Sequence, residues 1–422
     1  MIKTKPSYAR FEKGMKDSYT ILVPDMLPRH FLLISRILSN YGYKMELLKT
    51  SGKHIADLGL RYVHNDTCYP ALLVIGQFID ALQSGKYDVH RTALILSQTG
   101  GGCRASNYIH LLRKALNNAG LGFVPVISFN LTGLEKHPGF RMGIPILFRM
   151  MYGVLYGDLM MSLVNQTRPY ERIPGSAEKL ADSWTERLAQ EMTDPRNLRY
   201  GKVKKNYAAI VSDFASLDMT DEIKPRVGIV GEIYVKYSPM ANNHLEDFLV
   251  SEGAQPVVPG LLDFCMYCVY NTLRDTYVYG KRPYLRGVYR FALNFLEKKQ
   301  RDLNAAISSS PRFFALSPFS ETVRLADGYI DDRVRMGEGW LLTAEMLELG
   351  HSGVPNVVCA QPFGCLPNHI CGKGVTKHIT ESHPEMNVVA IDYDPGATQV
   401  NQENRLKLML ASAFQKLKET EK

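Results

Sequence analysis

Thr92-Ala93-Leu94-Ile95-Leu96-Ser97-Gln98-Thr99-Gly100-Gly101-Gly102-Cys103-Arg104 is the stretch on which the reading of this chain turns. Its first six residues are apolar except at the two ends, as in a strand buried on both faces. Three glycines and a cysteine follow, and Ala105 to Asn118 has helical spacing. Strand, tight turn, cysteine, helix is a unit of an α/β fold that aims a side chain into a cleft.

Outward from this stretch the same rhythm holds. Ser18 to Val23, Lys44 to Leu48 and Phe123 to Phe129 read as strands, and Pro28 to Tyr41 and Pro70 to Leu82 as helices. Alternation of this kind predicts a mostly parallel sheet with helices on both faces. Between Leu131 and Lys224 strand signals fade. Helices are expected at Met142 to Val164, Ser176 to Met192 and Asn206 to Leu217. The rhythm returns after Pro225. Strands are expected at Arg226 to Val235, Gln255 to Val258, Asn356 to Cys359 and Asn387 to Asp392. Helices are expected at Asn243 to Glu252, Leu261 to Arg274, Tyr284 to Ile307, Gly337 to Leu349, Pro367 to Glu381 and Gln399 to Phe414, with a frayed tail from Lys416. The expected fold is α/β. Two doubly wound, Rossmann-like domains (1–130 and 225–422) are joined by a helical connecting or lid region (131–224).

Composition bounds the function. The 422 residues are too many for one ordinary core. The net charge of +8 is spread along the chain, which tolerates an anionic partner. Met1 to Lys16 is charged and has no apolar segment, so no signal peptide is expected. Arg141, Arg149 and Asp158 interrupt the most apolar stretch, Gly139 to Leu163, and argue against a membrane span. Seven cysteines with no export signal point to a reducing, cytoplasmic setting, and to thiols or metal ligands over disulfides. Walker, hydrolase-triad and nucleic-acid motifs are not found.

Four cysteines lie on strand-to-helix turns. Cys68, in His64-Asn65-Asp66-Thr67-Cys68-Tyr69-Pro70, stands near the positive end of a helix, which lowers a thiol pKa and favours the thiolate. Its alternative role is a small buried residue at a helix start. At Cys103 the glycine run, Gly101 and Gly102 included, lets a bulky group approach. Arg104 beside it is placed to neutralise an anionic group, or is simply surface. Cys359 and Cys365 bracket a turn in which Gly364 bends the chain. That geometry is expected to expose Cys365 and to leave Cys359 as the last buried residue of its strand. Cys265 and Cys268 form a C-x2-C on an apolar helix, where core packing competes with metal binding and Cys268 is the better ligand candidate. Cys371 lies inside a predicted helix. His64 and His369 flank cysteine turns, as proton donors or as helix-end residues.

Taken together, the segments Tyr62 to Pro70, Ser97 to Arg104 and Gln361 to His369, with Ala241-Asn242-Asn243 and Asp392-Tyr393-Asp394-Pro395-Gly396, resemble the 2-hydroxyacyl-CoA dehydratase and activase-related superfamily, close to its double-cubane iron–sulfur proteins. The resemblance covers most of the chain. It implies an iron–sulfur cluster in the cleft between two α/β domains, held by Cys68, Cys103 and Cys365. That cluster is either a 4Fe–4S cubane or an 8Fe–9S double cubane, the latter drawing further ligands from Cys268 and Cys359. It also implies a separate ATP-hydrolysing activase, with its own 4Fe–4S cluster, as electron donor. The dehydratases use two different subunits. One subunit alone favours a homodimeric reductase of a small molecule over a dehydratase, or over an electron carrier or cluster scaffold. No nucleic-acid or membrane partner is expected.

Overall fold

The computed structural model describes residues 8–64, 66–98, 102–129, 135 and 137–420. The first α/β unit runs β1 (Thr20–Val23), α1 (Pro28–Ser39), β2 (Lys44–Leu47), α2 (Lys53–Tyr62), α3 (Tyr69–Gln83), β3 (Thr92–Ser97), α4 (Tyr108–Asn118) and β4 (Val126–Phe129). Its four strands are parallel, in the order β2-β1-β3-β4. The apolar run of β3 is buried from Thr92 to Leu96, as a parallel strand covered on both faces requires.

Helices α5 (Ile144–Thr167), α6 (Ser176–Glu191) and α7 (Tyr200–Ala215) follow. The second unit runs β5 (Arg226–Gly231), α8 (Ile233–Tyr237), α9 (Leu245–Ser251), β6 (Gln255–Val257), α10 (Leu261–Val278), α11 (Arg286–Ile307), α12 (Phe319–Leu325), α13 (Trp340–His351), β7 (Asn356–Pro362), α14 (Thr376–Ser382), β8 (Asn387–Tyr393) and α15 (Gln399–Thr420). These strands are also parallel, in the order β6-β5-β7-β8. Each sheet therefore reverses its winding once, between β1 and β3 and between β5 and β7. Open α/β sheets place their ligands outside the carboxyl ends of the strands at such switch points.

Several boundaries differ from the sequence reading. The expected strand from Arg226 to Val235 stops at Gly231, whose φ of +151° ends the ladder. Glu232 then accepts a 3.0 Å hydrogen bond from the Val235 amide and caps α8. The expected helix from Pro367 to Glu381 is broken into a π-helical turn at Asn368–Gly372, a 3-10 turn at Lys373–Val375, and α14. The tail is helical through Thr420. Helices α2 and α12 were not expected. Leu159, Trp184 and Tyr207 share one core with Met266 of α10, Leu303 of α11 and Trp340 of α13.

α5 is long and apolar enough to cross a membrane, but it is mostly buried inside the protein. Its Asp158 shows why. The carboxylate accepts hydrogen bonds of 2.7 and 2.9 Å from the Leu261 and Leu262 amides, and lies 2.8 Å from His30 Nε2. One side chain thus caps α10 and ties it to α1 and α5. Asp158→Ala is expected to cost about 3 kcal/mol, by summing a lost cap with two buried donors left unpaired. Urea denaturation measures it, and a loss under about 1 kcal/mol would show that the cap is dispensable.

Candidate metal centre

α2 and α3 cross in backbone contact. A Cβ on Gly59 would sit 2.1 Å from the Leu72 carbonyl oxygen, and one on Gly76 would sit 2.0 Å from that of Ile55. This crossing sets where α3 begins, and Cys68 is its N-cap residue. The Cys68 Sγ shares a 2.6 Å hydrogen bond with the hydroxyl of Tyr108, the first residue of α4. Cys103 caps the 3-10 turn Arg104–Asn107 that leads into the same helix. Ser106 donates to the Cys103 carbonyl from both its amide (3.1 Å) and its hydroxyl (2.7 Å), which fixes the turn.

Cys365 arrives from the second sheet, three residues after β7. Gly364 has φ +75°, and a Cβ there would lie 3.2 Å from the Cys68 Cα. The Tyr69 amide donates to the Phe363 carbonyl at 3.0 Å. The third cysteine turn therefore rests directly on the first. A loop before α13 closes the far side. A Cβ on Gly337 would lie 3.7 Å from the Cys103 Sγ and 3.2 Å from the Pro367 Cγ, and one on Gly102 would meet the Met336 sulfur at 2.5 Å. The predicted trio Cys68, Cys103 and Cys365 is thus gathered at the carboxyl ends of β3 and β7, beside the two switch points.

The electrostatics depart from expectation. Burial pushes the Cys68 thiol up to about 11, against the pull of the Tyr108 hydroxyl, and Glu232 adds to the rise. The expected lowering at a helix start is overridden because this thiol is buried, at 5% residue exposure. Cys365 is also buried, not exposed as the turn implied, because the Cys68 segment covers it. Burial and then Glu338 and Glu232 raise its thiol well above the ordinary range. Cys103 is half-buried and raised by burial and by the same two carboxyls. Glu232 and Glu338 are themselves buried and pushed up, first by burial, with Glu338 adding to the rise at Glu232. Nothing in the sequence set these two glutamates apart from surface ones.

The remaining candidates separate. The chain packed around Cys268 and then Glu338 push that thiol up, and the same two causes act on Cys371 in the π-helical turn. Cys371 is buried while Cys268 is exposed on α10. Both thus lie in the field of Glu338. Cys359 is fully buried in mid-strand, where its thiol donates to the Asn368 side-chain oxygen at 3.4 Å. Its charged neighbours are Asp392, Glu345 and Lys373 rather than the two glutamates of the trio. Cys265 is half-buried on α10.

Arg104 donates to the Asp66 carbonyl, so it braces the Cys68 turn from outside. His64 is exposed, and its Nδ1 accepts from the Asp66 amide at 3.2 Å. His369 is exposed, with Nδ1 2.6 Å from the Gln361 amide nitrogen. Gly101 lies outside the described residues, as do Asn65, Thr99 and Gly100.

Among the described residues no three Cys, His, Asp or Glu side chains close on the position of a single ion. A cluster joins its ligands through several irons and bridging sulfides, so its thiols stand wider apart than those around one ion. Neighbouring thiols with no histidine among them are the donor chemistry of such a group, and Cys68, Cys103 and Cys365 fit it in kind. A cavity of about 920 Å3 lies elsewhere, beyond the ends of β1 and β2, and no cysteine lines it. Its charges are spent on one another, as in Lys86–Glu46 (2.5 Å) and Arg168–Asp247 (2.6 Å), so it offers no concentrated donor set. No family model matches the chain, and no curated protein matches it.

Proposed function

We propose that this chain is the iron–sulfur component of a reductase, which takes low-potential electrons from an ATP-hydrolysing activase and passes them to a small molecule. The observation that carries the reading is the meeting of Cys68, Cys103 and Cys365 at facing sheet ends, with Gly364 packed against Cys68. Cys68, Cys103 and Cys365 would hold the cluster, which when bound supplies one-electron chemistry at a strongly reducing potential. The chain's own residues do the rest. The two sheet ends bury Cys68 and Cys365, and the Gly337 loop packs beside Cys103. Tyr108 orients the Cys68 sulfur. Burial resists the ionisation of Glu232 and Glu338 and so limits the negative charge they bring to the thiols. Phe363, Leu366, Ile370 and Met336 are more than half exposed around the mouth and form an apolar rim on which a partner can dock. Since the sequence offers no phosphate loop, ATP would be consumed by the activase, and the setting would be cytoplasmic.

The dehydratase reading is favoured by one feature. Three thiols would hold a 4Fe–4S cubane with one iron open to a substrate, the Lewis-acid chemistry that a dehydratase needs. The double cubane is favoured by Cys268 and Cys371, which share Glu338 with Cys103 and Cys365. Iron and sulfide analysis of anaerobically purified protein decides, with about four irons per chain for the first and about eight for the second. A Cys268→Ser, Cys371→Ser double variant is expected to lose about half of an eight-iron complement and none of a four-iron one. Protein that stays colourless and iron-free after anaerobic reconstitution would end both readings.

A further inference from the structure

α13 is buried along its whole length from Trp340 to Leu349, yet it carries Glu345 and Glu348, 2% and 3% exposed. Carboxyls are almost never placed so deep without a partner or a task. Followed side chain by side chain, they belong to a row that crosses the second α/β unit.

The outer end is half-buried. Ser317 Oγ and Ser352 Oγ are 3.2 Å apart, and Ser352 Oγ donates to Glu348 Oε1 at 2.6 Å, as does the Ser317 amide at 2.7 Å. Glu345 lies one helical turn inward of Glu348 on the same face, where side chains three apart are neighbours. Its two oxygens are 2.9 and 3.1 Å from Lys236 Nζ, in a pair whose side chains are 3% and 4% exposed. Lys236 stands one turn beyond Glu232, the cap of α8. The Ile233 amide, next to Glu232, donates to Glu338 Oε1 at 2.9 Å, which sets the two carboxyls together at the start of α8. Glu232 raises the thiols of Cys68, Cys103 and Cys365, and Glu338 those of Cys103 and Cys365. Asp263 of α10, Asp158 of α5 and Tyr237 of α8 face the row from the neighbouring elements. The row follows α13 for seven residues, from Ser352 to Glu345, about 10 Å at ~1.5 Å per residue, before it passes to α8.

One lysine offsets only one of four buried carboxyls. Burial pushes the other three, Glu232, Glu338 and Glu348, toward the protonated form. An arrangement meant only for stability would do as well with apolar side chains of the same volume.

We propose that Ser317–Ser352, Glu348, Glu345–Lys236 and the pair Glu232 and Glu338 form a proton relay from bulk water to the cysteine site. This rests on the reductive reading of that site. For each pair of electrons that the activase delivers to a substrate S, two protons leave water, pass the row and arrive with them, giving SH2. Each carboxyl accepts a proton from its outer neighbour as it yields one inward, so the row ends each cycle with the protons it began with.

The test needs no cluster. In iron-free protein the protonated carboxyls give a resolved infrared C=O stretch, assigned through Glu232→Gln and Glu338→Gln. After transfer to D2O, the shift of these inner carboxyls is expected to be about tenfold slower in Glu348→Gln than in the wild type. Glu348→Asp should restore much of the rate, and thermal melting checks that both variants fold. Lys236→Met is not relied on, since an unpaired Glu345 can unfold the protein. Ser352→Ala, at the half-buried end, should slow exchange by a smaller factor. Inner carboxyls that exchange as fast in folded Glu348→Gln as in the wild type would overturn the relay. So would an equal slowing in Lys86→Gln, at the unrelated cavity. A wild-type row that exchanges through Glu348 in a protein that never binds iron would leave the relay standing and remove the reductive reading.

Discussion

Cys365→Ser is expected to purify folded and almost free of iron, whereas Cys359→Ser keeps its full complement. Both cysteines come from the same strand and turn, and both are buried, so burial does not separate them. Position does. Cys365 sits where the turn touches Cys68, while Cys359 points to Asn368 inside the second unit. Serine matches the size of cysteine but is a far poorer ligand for iron, so the loss is read as metal content and not as stability. Cys68→Ser and Cys103→Ser should behave as Cys365→Ser does. Iron analysis after anaerobic reconstitution measures all four. Full occupancy in Cys365→Ser would remove it from the donor set, and with it the convergence argument.

The second large effect is one of packing. Gly76→Val is expected to destabilise the protein by about 3 kcal/mol or more, since a Cβ 2.0 Å from the Ile55 carbonyl oxygen can be admitted only by parting α2 from α3. The parted helix carries Cys68 with it, so residual folded protein should also bind less iron. Ala81→Gly, one turn and a half along the same helix and fully buried, is a control: it costs about 1 kcal/mol or a little more by propensity and lost packing, without moving the start of α3. Urea melts and iron content on the two variants separate the effects. A Gly76→Val protein as stable as the wild type would show that the crossing is not held by backbone contact.

Much of the fold was legible because parallel strands covered on both faces are continuous apolar runs. Thr92–Ser97 matches β3 residue for residue. What was missed has identifiable causes. α2 buries only Ile55, Ala56 and Gly59, too narrow a stripe to announce a helix. The run from Arg226 to Val235 is uniformly apolar apart from its start and Gly231-Glu232, and it is there that the strand turns into α8. Cys103 and Cys365 were legible because each follows a strand and a turn; Cys68 follows helix α2 instead of the expected strand, and only the helix start after it was legible. Lys236, Glu345 and Glu348 were not, since buried charges at helical spacing read as a solvated face until neighbouring elements cover them.

The contact between the Phe363 turn and the start of α3 has a consequence for how the protein is made. Cys68 and Cys103 leave the ribosome early, and Cys365 only after the whole connecting region and most of the second sheet have been synthesised. Neither half of the chain, expressed by itself, contains the three-thiol site. A nascent chain therefore displays two of these thiols long before the third, and a group held by all three, as proposed, would have to wait until the two halves of the chain have docked.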